Sequence, residues 1–304
     1  MSYSLELRDV RKSYGDFQAV KGATFGVPPG TIFGLLGPNG AGKTSTIRMI
    51  MDITAPDSGE ILMSGRPRIS ADLHRIGYLP EERGLYRKMT VFDQLLFLGE
   101  LHGLGRAVLA KRIQSWLERL EIAAWGKKKI EELSKGMQQK IQLVGTLLHE
   151  PDLVILDEPF SGLDPINQGL FKEAFADLKR QGKTILLSTH VMEQAEKLCD
   201  HICLISNGRA VLDGELREIK RKWGGNAFTL RIEGDPQVLA TLPGVDTLTV
   251  SPDDPQSAKV LLRPDANGAD VLKQAIGLVR VHEFRSEEPD LEQIFIKAVR
   301  DGAQ

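Results

Sequence analysis

Gly37-Pro38-Asn39-Gly40-Ala41-Gly42-Lys43-Thr44 is the stretch on which the reading of this chain turns. Glycines at 37, 40 and 42 let the backbone wrap an anion with its N–H groups inward, where side chains would block the approach. Lys43 supplies a point charge to the β- and γ-phosphates of a nucleotide, and the Thr44 hydroxyl is placed to ligate Mg²⁺. Ser45 carries the run into residues 44–51, which have the composition of a helix. A helix there turns the favourable end of its dipole towards the phosphates. Upstream, residues 31–36 form a compact apolar strand. Strand, glycine loop and helix, in that order, are the context such a loop requires.

Further along, residues 153–159 read LVILDEP. Four apolar residues predict a buried strand that delivers Asp157 and Glu158 at its carboxyl end, where α/β folds bind ligands. Asp157 suits Mg²⁺, through water. Glu158 suits the base or polariser of an attacking water, the plainer alternative being that it caps the next turn. Residues 184–190, TILLSTH, end a second apolar strand in His190, which points polar groups to the same rim. Taken alone, a strand-end histidine is more often a structural hydrogen bonder. Just before LVILDEP lies LSKGM, residues 133–137, a second glycine-bearing turn that is surplus to one phosphate cradle.

Bulk properties narrow the class. The chain has 304 residues, long for one domain and comfortable for two. Its 41% hydrophobic and 26% charged content is ordinary for a soluble globular protein. A formal net charge of -2 gives no support to a nucleic-acid partner. No run approaches the ~18 apolar residues of a membrane span, and the N-terminus lacks an apolar signal core. Cys199 and Cys203 are the two cysteines. With only His201 beside them they read as a buried structural pair, and a cytoplasmic, reducing compartment fits.

Alternation at Leu5, Leu7, Val20, Phe25 and Val27 predicts strands, with a turn at Tyr14-Gly15-Asp16. A strand pair is expected around residues 61–63 and 76–79. From 91 to 148 the pattern is helical, with Leu95, Leu96, Leu98, Ile113, Trp116, Leu117 and Leu120 at helix spacing. Lys127, Lys128 and Lys129 read as a solvated loop. Strands 153–156 and 184–188 flank a helix over 167–180, which implies a largely parallel sheet. A different rhythm starts near Asn226. Strands around 228–232, 248–250, 259–262 and 281–284, a helix over 269–279 and a last helix with Pro289 in its first turn make a small α+β domain. Residues 224–226 read as its linker.

Together, the phosphate loop, LSKGM and LVILDEP, in this order, resemble the ATP-binding cassette (ABC) family over about residues 3–223. The resemblance implies an α/β fold of the P-loop NTPase kind. Its sheet is mostly parallel, with an antiparallel β subdomain and a helical subdomain over about 84–149. The ATPase domain would span 1–223 and a small α+β accessory domain 226–304. In this family the LSKGM-like segment of one subunit closes over ATP held by the other, so Ser134 and Gly136 would meet the partner's γ-phosphate, and Asp164 of SGLD would cross the dimer interface. Lys135 and Met137 depart from the usual Gly and Gln, and the Lys135 cation would help to neutralise the triphosphate. His190 would contact the γ-phosphate and Tyr14 would stack on adenine. Where the family has Gln after Leu-Pro, this chain has Glu81, followed by Glu82, so Glu81 is a candidate Mg²⁺ ligand in place of an amide.

Within the family, IGYLPEERGLYRKMTV and EPDLEQIFIKAV look like ATPase subunits of ABC-2-type exporters for sodium or drugs. That implies a homodimer or paired subunit using ATP and Mg²⁺, seated on the cytoplasmic face of the membrane by a separate ABC-2-type permease. Two other readings remain open from sequence: a non-transport ATPase of translation or DNA repair, and a regulatory or interaction module.

Overall fold

The computed structural model describes residues 3–301 apart from 83, 224–226, 252–253, 264 and 288. The expected linker at 224–226 lies outside the described residues. The chain folds as two compact units, Met1–Glu215 and Leu216–Arg300.

In the first unit, β1 (Leu5–Tyr14) and β2 (Phe17–Val27) pair antiparallel across a two-residue turn. Then follow β3 (Ile32–Leu36), α1 (Lys43–Ile50), β4 (Ser58–Met63), β5 (Arg66–Pro67) and β6 (Ile76–Leu79). The helical region comprises α2 (Val91–Leu101), α3 (Arg106–Arg119) and α4 (Lys135–Leu147). The chain returns to the sheet with β7 (Leu153–Asp157), α5 (Pro165–Arg180), β8 (Thr184–Thr189), α6 (Met192–Leu198), β9 (His201–Ser206) and β10 (Arg209–Glu215).

Two sheets result. An antiparallel one runs β2-β1-β4-β5, and a six-stranded one runs β10-β9-β3-β8-β7-β6, parallel except for β10. Every residue of β3, β7 and β8 is buried, as expected of parallel strands covered on both faces. The main core lies between the sheets, where Leu5, Leu7, Phe25, Phe33, Ile47 and Ile155 join one apolar cluster. Both cysteines are buried free thiols.

The strand pair expected at 61–63 and 76–79 does not form. β4 is only half buried and pairs with β1, whereas β6 pairs parallel with β7. The difference is one of coverage: Gly77 of β6 lies so close to α4 that a Cβ there would stand 2.5 Å from the Thr146 carbonyl oxygen. A strand packed beneath a helix belongs to the covered sheet.

The second unit begins at Leu216, earlier than the 223/226 division read from composition. It holds α7 (Leu216–Trp223), β11 (Ala227–Glu233), a short 3₁₀ turn (Pro236–Thr241), β12 (Val245–Val250), β13 (Ser257–Leu262), α8 (Gly268–Leu278), β14 (Arg280–Ser286) and α9 (Leu291–Asp301). The strands form one antiparallel sheet, β12-β13-β11-β14. Leu230, Ile232, Val260, Leu239 and Val271 fill its core. Pro289 stands before α9 rather than in its first turn. Asp290 supplies the start, its carboxylate accepting from the Gln293 N–H at 2.7 Å.

Candidate nucleotide site

The loop between β3 and α1 is wedged between two neighbouring strands. Gly37 has φ 151° and Gly42 φ 107°, both in the left-handed half of the map. A Cβ at Gly37 would stand 2.1 Å from the Ile205 carbonyl oxygen of β9, and one at Gly42 2.5 Å from that of Ala19 in β2. These two glycines therefore let the loop seat against protein backbone, whereas the sequence suggested room for phosphate. Only Gly40, with φ 78°, opens onto free space. Ala41 faces inward, 2% exposed, and its carbonyl accepts from the Gly208 N–H at 3.0 Å.

Lys43 folds back over this loop. Its Nζ donates to the Gly37 carbonyl at 2.8 Å and to that of Pro38 at 3.2 Å, and lies 3.8 Å from Glu158 Oε1. Burial pushes the Lys43 pKa down, and the carboxylates of Glu158, Asp157 and Glu81 push it back up. Above the lysine opens a cleft of about 390 Å³, lined by Phe17, Asn39, Gly40, Thr44, Ser45, Glu81 and Glu158 among others. Glu81 therefore lines the same cleft as Lys43. It also lines an adjoining polar cleft of about 730 Å³ with Glu82, Arg87, Glu131, Lys135 and Ser161. Lys135 thus faces a cleft of its own chain.

Asp157 ends β7 with both carboxylate oxygens buried and without a hydrogen-bond partner. Burial raises its pKa above the ordinary value. The Ser188 and Thr44 hydroxyls and the Lys43 charge act the other way, although neither hydroxyl reaches hydrogen-bond geometry. Two unanswered carboxylate oxygens in a dry site are costly unless a cation balances them. Hard oxygen donors from Asp157, Thr44 and Glu81 are the chemistry that Mg²⁺ takes, so the residues fit that ion.

Glu158 follows with φ 48°, a strained backbone for a non-glycine residue. Its N–H donates to the Ser188 carbonyl at 3.0 Å, and its carbonyl accepts from the Ser161 N–H at 3.1 Å. These bonds hold the turn that aims the side chain back across the sheet edge. Oε1 lies 2.9 Å from Nδ1 of His190. The side chain is thus gripped between His190 and Lys43 and does not cap the following turn.

Tyr14 ends β1 and is 44% exposed, with Lys12 Nζ 5.8 Å from its ring centroid. It is not among the residues lining the cleft. Phe17 is, 63% exposed and directly opposite Tyr14 in the strand pair. Sequence reasoning missed Phe17. The available signal was an aromatic just beyond the Gly15-Asp16 turn.

Ser134, Gly136 and Asp164 stand outside their own chain's cleft. Ser134 caps α4, its Oγ accepting from the Met137 N–H at 3.3 Å. A Cβ at Gly136 would sit 3.5 Å from Leu163 Cδ2, so the LSKGM turn packs beside the SGLD turn. Asp164 caps α5, accepting from the Asn167 N–H at 2.9 Å.

The sequence and fold of the chain match those of known proteins. The ABC transporter family pattern matches residues 20–161, and the C-terminal domain pattern of DrrA1-3-like ATP-binding proteins matches residues 214–299. The chain is 43% identical over 295 residues to YhaQ of Bacillus subtilis, an uncharacterised ABC transporter ATP-binding protein, covering 97% of this chain and 98% of that one. It is 35% identical over 306 residues to a Nod factor export ATP-binding protein of Rhizobium etli, covering 97% and 92%. A solved ATP-binding subunit of an ABC transporter superposes with a TM-score of 0.67 at 34% identity, over 72% of this chain and 93% of that one. The chain therefore belongs to the ABC transporter family, as an ATP-binding subunit that hydrolyses ATP.

Proposed function

We propose that this subunit drives export through a separate ABC-2-type membrane permease, working as one half of a head-to-tail dimer with two ATP molecules sandwiched between the halves. The observation that carries the reading is the convergence of Lys43, Glu158 and His190 beside the buried, unpartnered oxygens of Asp157. Asp157, Thr44 and Glu81 would hold Mg²⁺, which when bound neutralises charge on the β- and γ-phosphates. Lys43 would exchange the Gly37 and Pro38 carbonyls for phosphate oxygens, and the N–H groups of residues 39–45 would cradle the rest. Glu158 would orient water and take its proton. His190 would fix the carboxylate through Nδ1 and leave Nε2 for the γ-phosphate. Tyr14 would stack on the base. Ser134 and Gly136 of a second copy would close the open side, with Asp164 at the interface between copies.

Among the described residues no helix is long and apolar enough to cross a membrane. A permease would therefore supply the membrane path and hold this subunit at the cytoplasmic face. A mostly apolar cleft of about 290 Å³, lined by Leu73, Tyr78, Leu85 and Leu98, suits a permease helix. The Nod factor export relative favours outward transport, and a net charge of -2 disfavours nucleic acid as a partner.

Glu158→Gln keeps the shape of the site and removes the base. Phosphate release from this variant should fall by about 10²–10⁴-fold while ATP binding persists. Hydrolysis at the wild-type rate would remove Glu158 from the chemistry.

A further inference from the structure

We infer that the second unit carries a self-complementary edge, the outer side of β14, which pairs antiparallel with the same strand of a second copy of this chain. The inference goes beyond the nucleotide site and does not depend on it. β14 stands at the end of the strand order β12-β13-β11-β14, and among the described residues no strand pairs with its outer side. The Glu287 N–H donates to the Ala227 carbonyl at 2.8 Å. Bonding alternates along an antiparallel pair, so Glu283 and Arg285 also turn their N–H and C=O groups towards β11, and Phe284 turns its own outward. Outward backbone groups in the middle of an edge are a template for another strand.

The sequence about that point is symmetric in charge. With a two-fold axis at Phe284, the two copies of this residue exchange a pair of backbone hydrogen bonds. Glu283 of each copy then lies opposite Arg285 of the other, in the positions where side chains of an antiparallel pair approach most closely. Neither group is tied down within its own chain. Arg285 lies 4.0 Å from Glu283 and 3.7 Å from Glu287, beyond hydrogen-bond length. Arg231, the β11 neighbour of Glu283, instead meets Asp254 at 3.2 Å. An edge that repels other strands commonly carries one sign of charge, as a row of lysines does. This edge alternates in sign about its centre, so a copy in this register meets attraction. A bulge at His282, skipped between the Arg231–Glu283 and Ile232–Val281 pairs, ends the regular edge and keeps the pairing short. Ile276 and Leu278, exposed at the end of α8 that leads into β14, add apolar surface next to the strand.

The test is the oligomeric state of the full chain without nucleotide, where the ATP sandwich cannot form. Sedimentation should show a dimer of micromolar affinity, as suits a small interface. Glu283→Arg sets cation against cation, and Arg285→Glu sets carboxylate against carboxylate. Each variant alone should therefore associate about tenfold or more weakly than the wild type. Mixed together, the two should recover a heterodimer, because each supplies the charge that the other lacks. A misfolded unit would not be rescued by mixing. A wild-type chain that is monomeric without nucleotide would overturn the assignment, and so would variants that dimerise unaided or a mixture that stays monomeric.

Discussion

Alanine at Gly37 would place a Cβ 2.1 Å from the Ile205 carbonyl oxygen, on a backbone held at φ 151°. Backbone at that distance cannot yield as a flexible side chain would. Gly37→Ala should therefore lower stability by about 3 kcal/mol or more and abolish ATP binding, through displacement of the loop. Gly40→Ala meets open space and only an unfavourable φ of 78°, so about 1 kcal/mol should be lost, with ATP affinity little changed. Thermal unfolding and ATP titration of the two variants side by side check this. Equal damage at both positions would mean that the loop is not anchored through β9. The same economy of placement governs Glu158, whose strained φ of 48° is held by backbone bonds to Ser188 and Ser161. Strain kept at a candidate base, with two fixed bonds to maintain it, is the pattern expected where side-chain aim matters more than backbone comfort.

The ends of α2 and α4 meet at a pair of stacked imidazoles, His102 and His149, with ring centroids 3.7 Å apart. His149 Nε2 lies 3.2 Å from the Ile76 carbonyl oxygen and so carries the proton, while Nδ1 is buried without a partner. Burial first, then the adjacent His102, lowers the His149 pKa from 6.5 to about 4, with His74 and Arg112 acting in the same sense. Burial also lowers that of His102. The unfolded ring takes up a proton that the folded ring refuses, so stability is full above pH 6.5 and declines as pH falls towards 4. The loss is at most about 3 kcal/mol. Denaturant midpoints between pH 7.5 and 4.5 should fall less steeply for His149→Phe than for the wild type. Parallel profiles would show that the stacked pair does not titrate with folding. These helices were legible in sequence as one apolar rhythm over 91–148, but the histidine contact was not, because it joins residues 47 apart in the chain. Legibility followed locality elsewhere too. β3, the glycine loop, α1 and β7 could be read because motif and element coincide. β4 and β6 were wrongly paired because neither run says which sheet it enters, and β12-β13-β11-β14 is an order set by distant pairings. Phe17 was missed because its exposure depends on a fold that alternation alone does not describe.

Asp157, Glu158, the phosphate loop and His190 stand at the carboxyl end of the parallel strands, yet Ser134, Gly136 and Asp164 do not line the cleft above Lys43. Ser134 and Asp164 each cap a helix of their own chain, and the LSKGM turn packs against SGLD. A glycine turn so placed has no phosphate within its own subunit to serve, which is the physical reason for expecting a second copy opposite. Glu81 lines both the phosphate cleft and the neighbouring cleft that contains Lys135. Mixing Lys43→Ala protein with Ser134→Ala protein tests the shared pocket through phosphate release. Random pairing makes half the dimers mixed, and each mixed dimer holds one pocket with an intact lysine facing an intact serine. Two nearly inert preparations should therefore recover up to about a quarter of wild-type turnover on mixing. A mixture as inert as its components, or wild-type turnover by Ser134→Ala protein alone, would contradict a pocket built from two chains.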